Sequence, residues 1–527
     1  MMAARKRFVW RVAGLALSCI AGFSASDLVA APDQTGIVHT DAGNVRGLIN
    51  GDVRRYLGIP YAAPPIGALR WRPPVNARPW VTVLDATKFG GTCAQAQRGV
   101  FAAPSQNEDC LYLNIYTPRE TNAAARNPVM VWFNGGGLFS GESNDYDGSK
   151  LVARGNVIVV TLNYRVGVFG FFSHPALNAE GHPYANYGIM DQQFALKWVQ
   201  RNISAFGGDP NNVTIFGQSG GGTSVMANLV SPLSKGLFQK AINESGTSIQ
   251  VVTPAASLDD GVQLANSVGC AGADSAKCMR ALSVKQILDH QAPILRHVVV
   301  FPAIDGTVIT KTALDAFSHG SFNHVPIMTG LVADEQSFFM SELKTHKPAL
   351  PAEYEALVAS FGHQNRDKIA ARYPLNKYPS PALAEVAAAQ GFKSCTARLL
   401  DRAWAKYAPV YAYEFRDQTA PSYFPKFSFP MRAYHTAELQ YIFPRFHGGR
   451  GTPHALNAAQ EKLSDQMVDY WTSFARTGRP AISASPPWKP YDAQTDNYQV
   501  LDLSGVSNVG GYGKTYDCEL WDAILSL

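Results

Sequence analysis

The sequence is poor in charge and carries no block of either sign. Asp, Glu, Lys and Arg together make up 17% of its 527 residues. Of the 46 Lys and Arg, four (Arg5, Lys6, Arg7 and Arg11) fall near the start, and the other 42 stand against 41 Asp and Glu. The body of the chain is therefore close to neutral and lacks the basic stripe that nucleic-acid binding requires. No apolar run approaches the ~20 residues that span a bilayer core, so no stable membrane insertion is expected. There is no CxxC and no Cys/His pair at zinc spacing, which argues against a metal site. Internal repeats and low-complexity segments are also missing, and nothing reads as an interdomain linker.

What is present is a hydrophobic content of 46%, ample for a large core and unlike that of a disordered chain. The N-terminus has the layout of a secretory signal. Basic residues precede the run Val12 to Phe23, and small residues follow at Ser24, Ala25 and Ser26. Residues 1–26 are expected to be removed, with cleavage no later than residue 31, leaving an exported (periplasmic or secreted) protein. Residues 32–527 then form a single catalytic domain. Removal of the signal takes Cys19 away and leaves Cys93, Cys110, Cys270, Cys278, Cys395 and Cys518. Six cysteines permit fifteen pairings, and an oxidising compartment favours forming them. Proximity along the chain favours Cys93–Cys110 and Cys270–Cys278, which leaves Cys395–Cys518.

Short apolar runs read as buried parallel strands: Pro128 to Phe133, Val157 to Leu162, Val213 to Phe216, Val325 to Leu331 and Val410 to Phe415. Helical patterns lie between some of them. One covers Ile189 to Ile203 and stops before a turn at Phe206-Gly207-Gly208-Asp209-Pro210; another covers Leu463 to Phe474. Strands alternating with helices point to an α/β sheet with crossover connections.

The chemistry centres on Gly217-Gln218-Ser219-Gly220-Gly221, a G-x-S-x-G motif. It follows a strand-like run and precedes a helical one, Thr223 to Leu229, which is the context of a nucleophile elbow. A serine hydroxyl needs a base to take its proton and donors to hold the oxyanion. Asn134-Gly135-Gly136-Gly137 ends another strand and can bring backbone N–H groups over the elbow. The expected hole uses the N–H groups of Gly136, Gly137 and Gly220. The base should be a histidine and its orienting partner a carboxylate, in the order Ser, acid, His. Spacing does not choose among His324, His346, His363, His435, His447 and His454, nor between Asp334 and Glu335 for the acid.

With these motifs in place the chain resembles the type-B carboxylesterases, which include the cholinesterases. The resemblance covers nearly the whole exported chain. It is carried by YLGIPYAAPPIGALRW from Tyr56, EDCLYLNIYTP from Glu108, PVMVWFNGGG from Pro128, VVTLNYRVGVFGF from Val159 and NVTIFGQSGGG from Asn212, and more weakly by GLVADEQSFF, AYHTAELQYIF and DYWTSFARTGRP. It implies the α/β-hydrolase fold: a central, mostly parallel, twisted sheet with helices on both faces and large loops over the site. It implies Ser219 as nucleophile, Glu335 as acid, His435 as base, and the oxyanion positions named above. It implies the same three disulfides, and structural ion pairs Arg70–Glu108 and Arg165–Asp191. The family usually has Glu at 218, Ala at 220, Gly at 336 and 436, and His at 134. Here these are Gln218, Gly220, Gln336, Thr436 and Asn134.

The expected reaction is a two-step acyl transfer on a small-molecule ester, with no metal and no organic cofactor. The Cys93–Cys110 loop has no Trp, only Phe101, and the carboxylate at 218 is missing. A choline ester, which needs a cation–π and charge pocket, is therefore not expected. Loss of that carboxylate instead favours substrates bearing carboxylates, such as polycarboxylate esters of natural products or mycotoxins. The alternatives are an amidase or acyltransferase using the same acyl-enzyme, or a non-catalytic adhesion module on the same fold.

Overall fold

A computed structural model describes residues 33–97, 103–247, 252–292, 294, 302–483 and 485–525. The expected signal segment, 1–26 with its limit at 31, and Phe101 lie outside these residues. The strands, in chain order, are β1 (Val38–His39), β2 (Asn44–Arg46), β3 (Leu48–Asn50), β4 (Val53–Pro60), β5 (Leu84–Asp85), β6 (Tyr112–Pro118), β7 (Asn127–Phe133), β8 (Ile158–Leu162), β9 (Gly208–Gln218), β10 (Lys240–Glu244), β11 (Ile327–Val332), β12 (Val410–Phe415), β13 (Tyr498–Leu501) and β14 (Ser507–Val509). β1, β2 and β5 form a small sheet, and the others form one large sheet in the order β14-β13-β12-β11-β10-β9-β7-β8-β6-β4-β3. From β8 to β13 every neighbouring pair is parallel. Antiparallel pairs close both margins.

Both faces of this sheet are covered, and the strand sequences follow from that. Along β7, Val129, Val131 and Phe133 enter one core while Met130 and Trp132 enter the other. With neither face wet, the strand reads as a continuous apolar run rather than an alternating one. The helices Tyr187–Asn202 and Gly220–Val230 supply Ile189, Leu196, Trp198, Val225 and Leu229 to the first core. The helix Ala458–Thr477 supplies Leu463, Met467, Trp471 and Phe474 to the second. It runs further at both ends than its apolar pattern indicates, from a capping box on Asn457 and Gln460 to Gly478 at φ 76°.

The start of β9 also departs from the sequence reading. The turn placed over residues 206–210 is shorter, because β9 begins at Gly208 and not at Val213. Asn127 pairs with Gly208 but Val129 pairs with Val213, so the residues between bulge out of the ladder. Pro210, which has no N–H to give, sits in that irregular stretch, where no ladder bond is asked of it.

Disulfides join Cys93 to Cys110, Cys270 to Cys278 and Cys395 to Cys518. Arg70 Nε donates to Glu108 Oε1 at 2.7 Å, and Arg165 holds Asp191 through Nε and Nη2 at 2.8 and 2.7 Å. No helix among the described residues is long and apolar enough to cross a membrane.

Candidate active site

β9 ends at Gln218 and the next helix starts at Gly220, leaving Ser219 between them at φ 58°, ψ −120°. This is a strained conformation for a residue with a side chain, of the kind functional sites retain. It persists because both flanks are fixed. Ser219 N–H donates to Glu244 O at 2.8 Å, and Ser219 O accepts from Thr223 N–H at 2.9 Å. The glycines around it are steric necessities. A Cβ on Gly221 would lie 2.0 Å from Phe133 O, so only glycine lets the new helix cross the end of β7.

That crossing sets the elbow against the glycine loop. A Cβ on Gly220 would stand 2.7 Å from Gly137 N and 2.8 Å from Leu138 N, and one on Gly135 would stand 3.5 Å from Ser219 Cβ. Gly136 and Gly137 have φ of 110° and 61°. Among the described residues, the N–H groups of Gly136, Gly137 and Gly220 have no hydrogen-bond partner. Asn134 is buried and braces the turn. Its side chain donates to Gly135 O at 3.0 Å, and its carbonyl accepts from Tyr164 OH at 2.7 Å. Backbone donors gathered beside a nucleophile are what an oxyanion needs.

Glu335 and His435 meet on the other side. Both are buried, and His435 Nδ1 hydrogen-bonds to Glu335 Oε2. The other carboxylate oxygen accepts from Ser245 Oγ at 2.6 Å and from Val332 N–H at 3.2 Å. Burial by itself pushes this carboxyl up. The imidazole, Lys393 and the Ser245 hydroxyl together outweigh burial and hold it below the usual carboxylate range. Gln390 fixes the segment: its Oε1 accepts from Glu335 N–H at 2.9 Å and its Nε2 donates to Val332 O at 3.0 Å. The rings of Phe338 and Phe339 pack on the imidazole with centroids 5.1 and 5.0 Å away. Thr436 takes φ 79°, where the family usually has glycine. Its hydroxyl pairs with Tyr423 OH at 2.6 Å.

With Nδ1 committed to Glu335, Nε2 is the nitrogen left for chemistry. Among the described residues no hydrogen bond joins it to Ser219 Oγ. Its polar neighbour is the Gln218 side-chain nitrogen at 3.4 Å, which is also 3.5 Å from Nδ1. Near Gln218 lie two carboxyls that form no ion pair among the described residues. Glu244 pairs with Gln218 across β9 and β10, and its Oε1 accepts from Trp471 Nε1–H at 2.8 Å. Burial raises its pKa to about 8. Glu438 is fully buried, with the Gln218 amide as its polar neighbour. Burial, then the charges of Glu244 and Glu335, push it well up. With a value of about 8, Glu244 is held mostly as the neutral acid near pH 7.

The remaining candidates stand apart. Asp334 accepts from Gln418 Nε2 at 2.9 Å and faces Arg432, not the histidine. His324, His346, His363 and His454 are exposed, and His447 caps Gly449 N–H at 3.0 Å. Sequence reasoning missed Ser245, Gln390, Lys393, Glu244 and Glu438. Ser245 alone had a signal: it directly follows β10, the strand beside the one that leads into Ser219, where site groups of such sheets collect. Among the described residues no group of His, Cys, Asp and Glu is arranged to hold a metal ion.

A serine on a strand–helix elbow, in a mostly parallel sheet with free backbone donors beside it, is the arrangement of serine hydrolases of α/β-hydrolase fold. The profile of the carboxylesterase family matches residues 34–521, and the chain belongs to that family. It is 36% identical over 511 residues to a fumonisin B1 esterase of Sphingopyxis macrogoltabida, covering 91% of this chain and 89% of that protein. It is 35% identical over 494 residues to a para-nitrobenzyl esterase of Bacillus subtilis (strain 168), covering 88% and 94%. A solved PNB esterase structure superposes with a TM-score of 0.77 at 32% identity, covering 92% of this chain and 99% of that one. The protein is a carboxylic ester hydrolase with the α/β-hydrolase fold.

Proposed function

We propose that Ser219 is the nucleophile, His435 the general base and Glu335 the group that orients the imidazole, with Gly136, Gly137 and Gly220 as oxyanion donors. The observation that carries this reading is the Glu335–His435 pair, which engages Nδ1 and leaves Nε2 beside Gln218, the residue before Ser219. Ser219 Oγ attacks the ester carbonyl carbon while its proton passes to Nε2. The carbonyl oxygen takes the electron pair and rests on the three N–H groups. The bond to the alcohol oxygen then breaks, and the alcohol leaves with the proton from Nε2. Water attacks the acyl-enzyme, gives its proton to Nε2, and the acid departs as Ser219 recovers its hydrogen. Glu335 stays ionised and stabilises the imidazolium. Nε2 and Ser219 Oγ must close on each other for the first step, as catalytic hydrogen bonds do when substrate arrives. Neither a metal nor an organic cofactor has a part in this sequence.

Single and double alanine variants of Ser219 and His435 test the assignment. Residues that act as one unit lose together, so each single variant should cost nearly as much in kcat as the double, about 10⁶-fold. Losses that multiply would break the assignment.

The substrate we infer is an ester that carries a further carboxylate, a polycarboxylate ester of a natural product or mycotoxin. The support is the neutral amide of Gln218 beside the nucleophile, and a relative named for fumonisin B1. Export, with residues 32–527 as one catalytic domain, is supported by the basic and apolar N-terminal pattern and by three disulfides. N-terminal sequencing of the protein recovered outside the cytoplasm should begin between Asp27 and Pro32.

A further inference from the structure

A cavity of about 250 Å³ opens beside the end of β11, against the helix Pro381–Trp404 and the segment before the C-terminal helix. It is larger than the ~150 Å³ that suffices for a benzene ring. Its lining combines flat rings, Tyr373, Tyr378 and Tyr516, with two guanidinium groups, Arg372 and Arg432.

The two arginines are not equivalent. Arg372 is committed: it is ion-paired with Asp517 and its guanidinium sits 5.0 Å from the Tyr373 ring centroid. Arg432 is not. Its charge partner among the described residues is Asp334, at 3.7 Å, too far for a hydrogen bond. The other oxygen of Asp334, Oδ2, is taken by Gln418 Nε2 at 2.9 Å. The backbone holds Arg432 at φ 57°, in the left-handed region that favours glycine. Strain of this kind is retained where a side chain must be aimed. The Tyr378 hydroxyl also has no protein partner among the described residues. Nothing in the catalytic reading uses either group.

We propose that this cavity is a second ligand site, binding a small aromatic carboxylate with its anionic head on Arg432 and Tyr378 and its ring among the tyrosines. One cation and one hydroxyl match a singly charged head with two acceptor oxygens. A doubly charged phosphate would bring excess charge into a cavity that already holds Asp334. The inner wall includes Gln390, the residue that holds Glu335 N–H and Val332 O, so the ligand would lie one side chain from the catalytic acid.

Calorimetric titration of the full chain with benzoate, against neutral benzamide, tests this. Benzoate should bind at one saturable site at least tenfold more tightly than benzamide. Arg432→Gln should weaken it tenfold or more, and Tyr378→Phe, which keeps the ring, severalfold. Because benzoate could also enter the acyl site as a product analogue, the titration is repeated on protein phosphonylated at the nucleophile, where binding should persist. Equal binding of benzoate and benzamide, no change in either variant, or loss of binding after phosphonylation would overturn the proposal. Failure of Ser219 to take the phosphonate would count against the catalytic assignment instead, and the two variants would still decide the cavity.

Discussion

Gln218 and His435 are in contact: the amide nitrogen lies 3.4 Å from Nε2 and 3.5 Å from Nδ1 of the imidazole. The residue that precedes Ser219 thus lies against the imidazole, and it is neutral. A carboxylate there would repel an anionic substrate by a few kcal/mol at the effective dielectric of a partly buried site. Gln218→Glu should therefore lower kcat/KM for an ester bearing a free carboxylate, relative to its neutral amide-capped analogue, by roughly tenfold or more. An unchanged ratio would contradict the substrate assignment.

Ser245 holds the oxygen of Glu335 that the imidazole does not use. Ser245→Ala leaves that buried oxygen with only the longer Val332 bond, and a lost hydrogen bond to a charged group is worth ~1.5–3 kcal/mol. We expect kcat to fall about tenfold or more with KM little changed, in steady-state kinetics on a neutral ester. A rise in KM alone would mean that Ser245 acts on binding.

Gly220 has backbone, not side chain, where its Cβ would be. Alanine is common at this place in the family, yet Gly220→Ala here must push Gly137 and Leu138 outward. Losing one oxyanion donor costs ~2.7–4 kcal/mol, so kcat should fall by about 10²–10³ if the loop moves away. A variant as active as the parent would show that the loop gives way without cost.

Glu244 gives a pH signature. Its pKa is about 8 in the folded protein and near the ordinary carboxylate value when unfolded, so between those values the folded state holds the extra proton. Stability contributed by the neutral form is present at low pH and is lost as pH rises from roughly 4.5 through 8, by up to ~1.4 kcal/mol per pH unit. Glu244→Gln keeps an oxygen for Trp471 and removes the proton. Denaturant unfolding between pH 5.5 and 7.5 should show a shallower decline in the variant. Parallel slopes would mean that Glu244 does not titrate there.

Much of this site was legible because sterics write themselves into sequence. PVMVWF reads as a strand because both its faces are buried, and GQSGG reads as an elbow because the crossing at Phe133 tolerates no side chain. The partners of Ser219 were not legible by spacing. Glu335 and His435 are 100 residues apart, and only tertiary folding brings them together, so the family resemblance alone chose them. Gln390 arrives from a helix 55 residues beyond Glu335, and Glu438 is catalytic-looking in no local pattern. The start of β9 was misplaced because Pro210 reads as a breaker unless the bulge that shelters it is known.

The most direct test is covalent. The protein is treated with a fluorophosphonate at one equivalent, the remaining esterase activity is measured, and the adduct is located by peptide mass spectrometry. The account predicts one adduct, on Ser219, formed in proportion to the activity lost and absent from His435→Ala on the same timescale. Activity that survives full modification of Ser219, or is lost while the adduct sits on another residue, would contradict it.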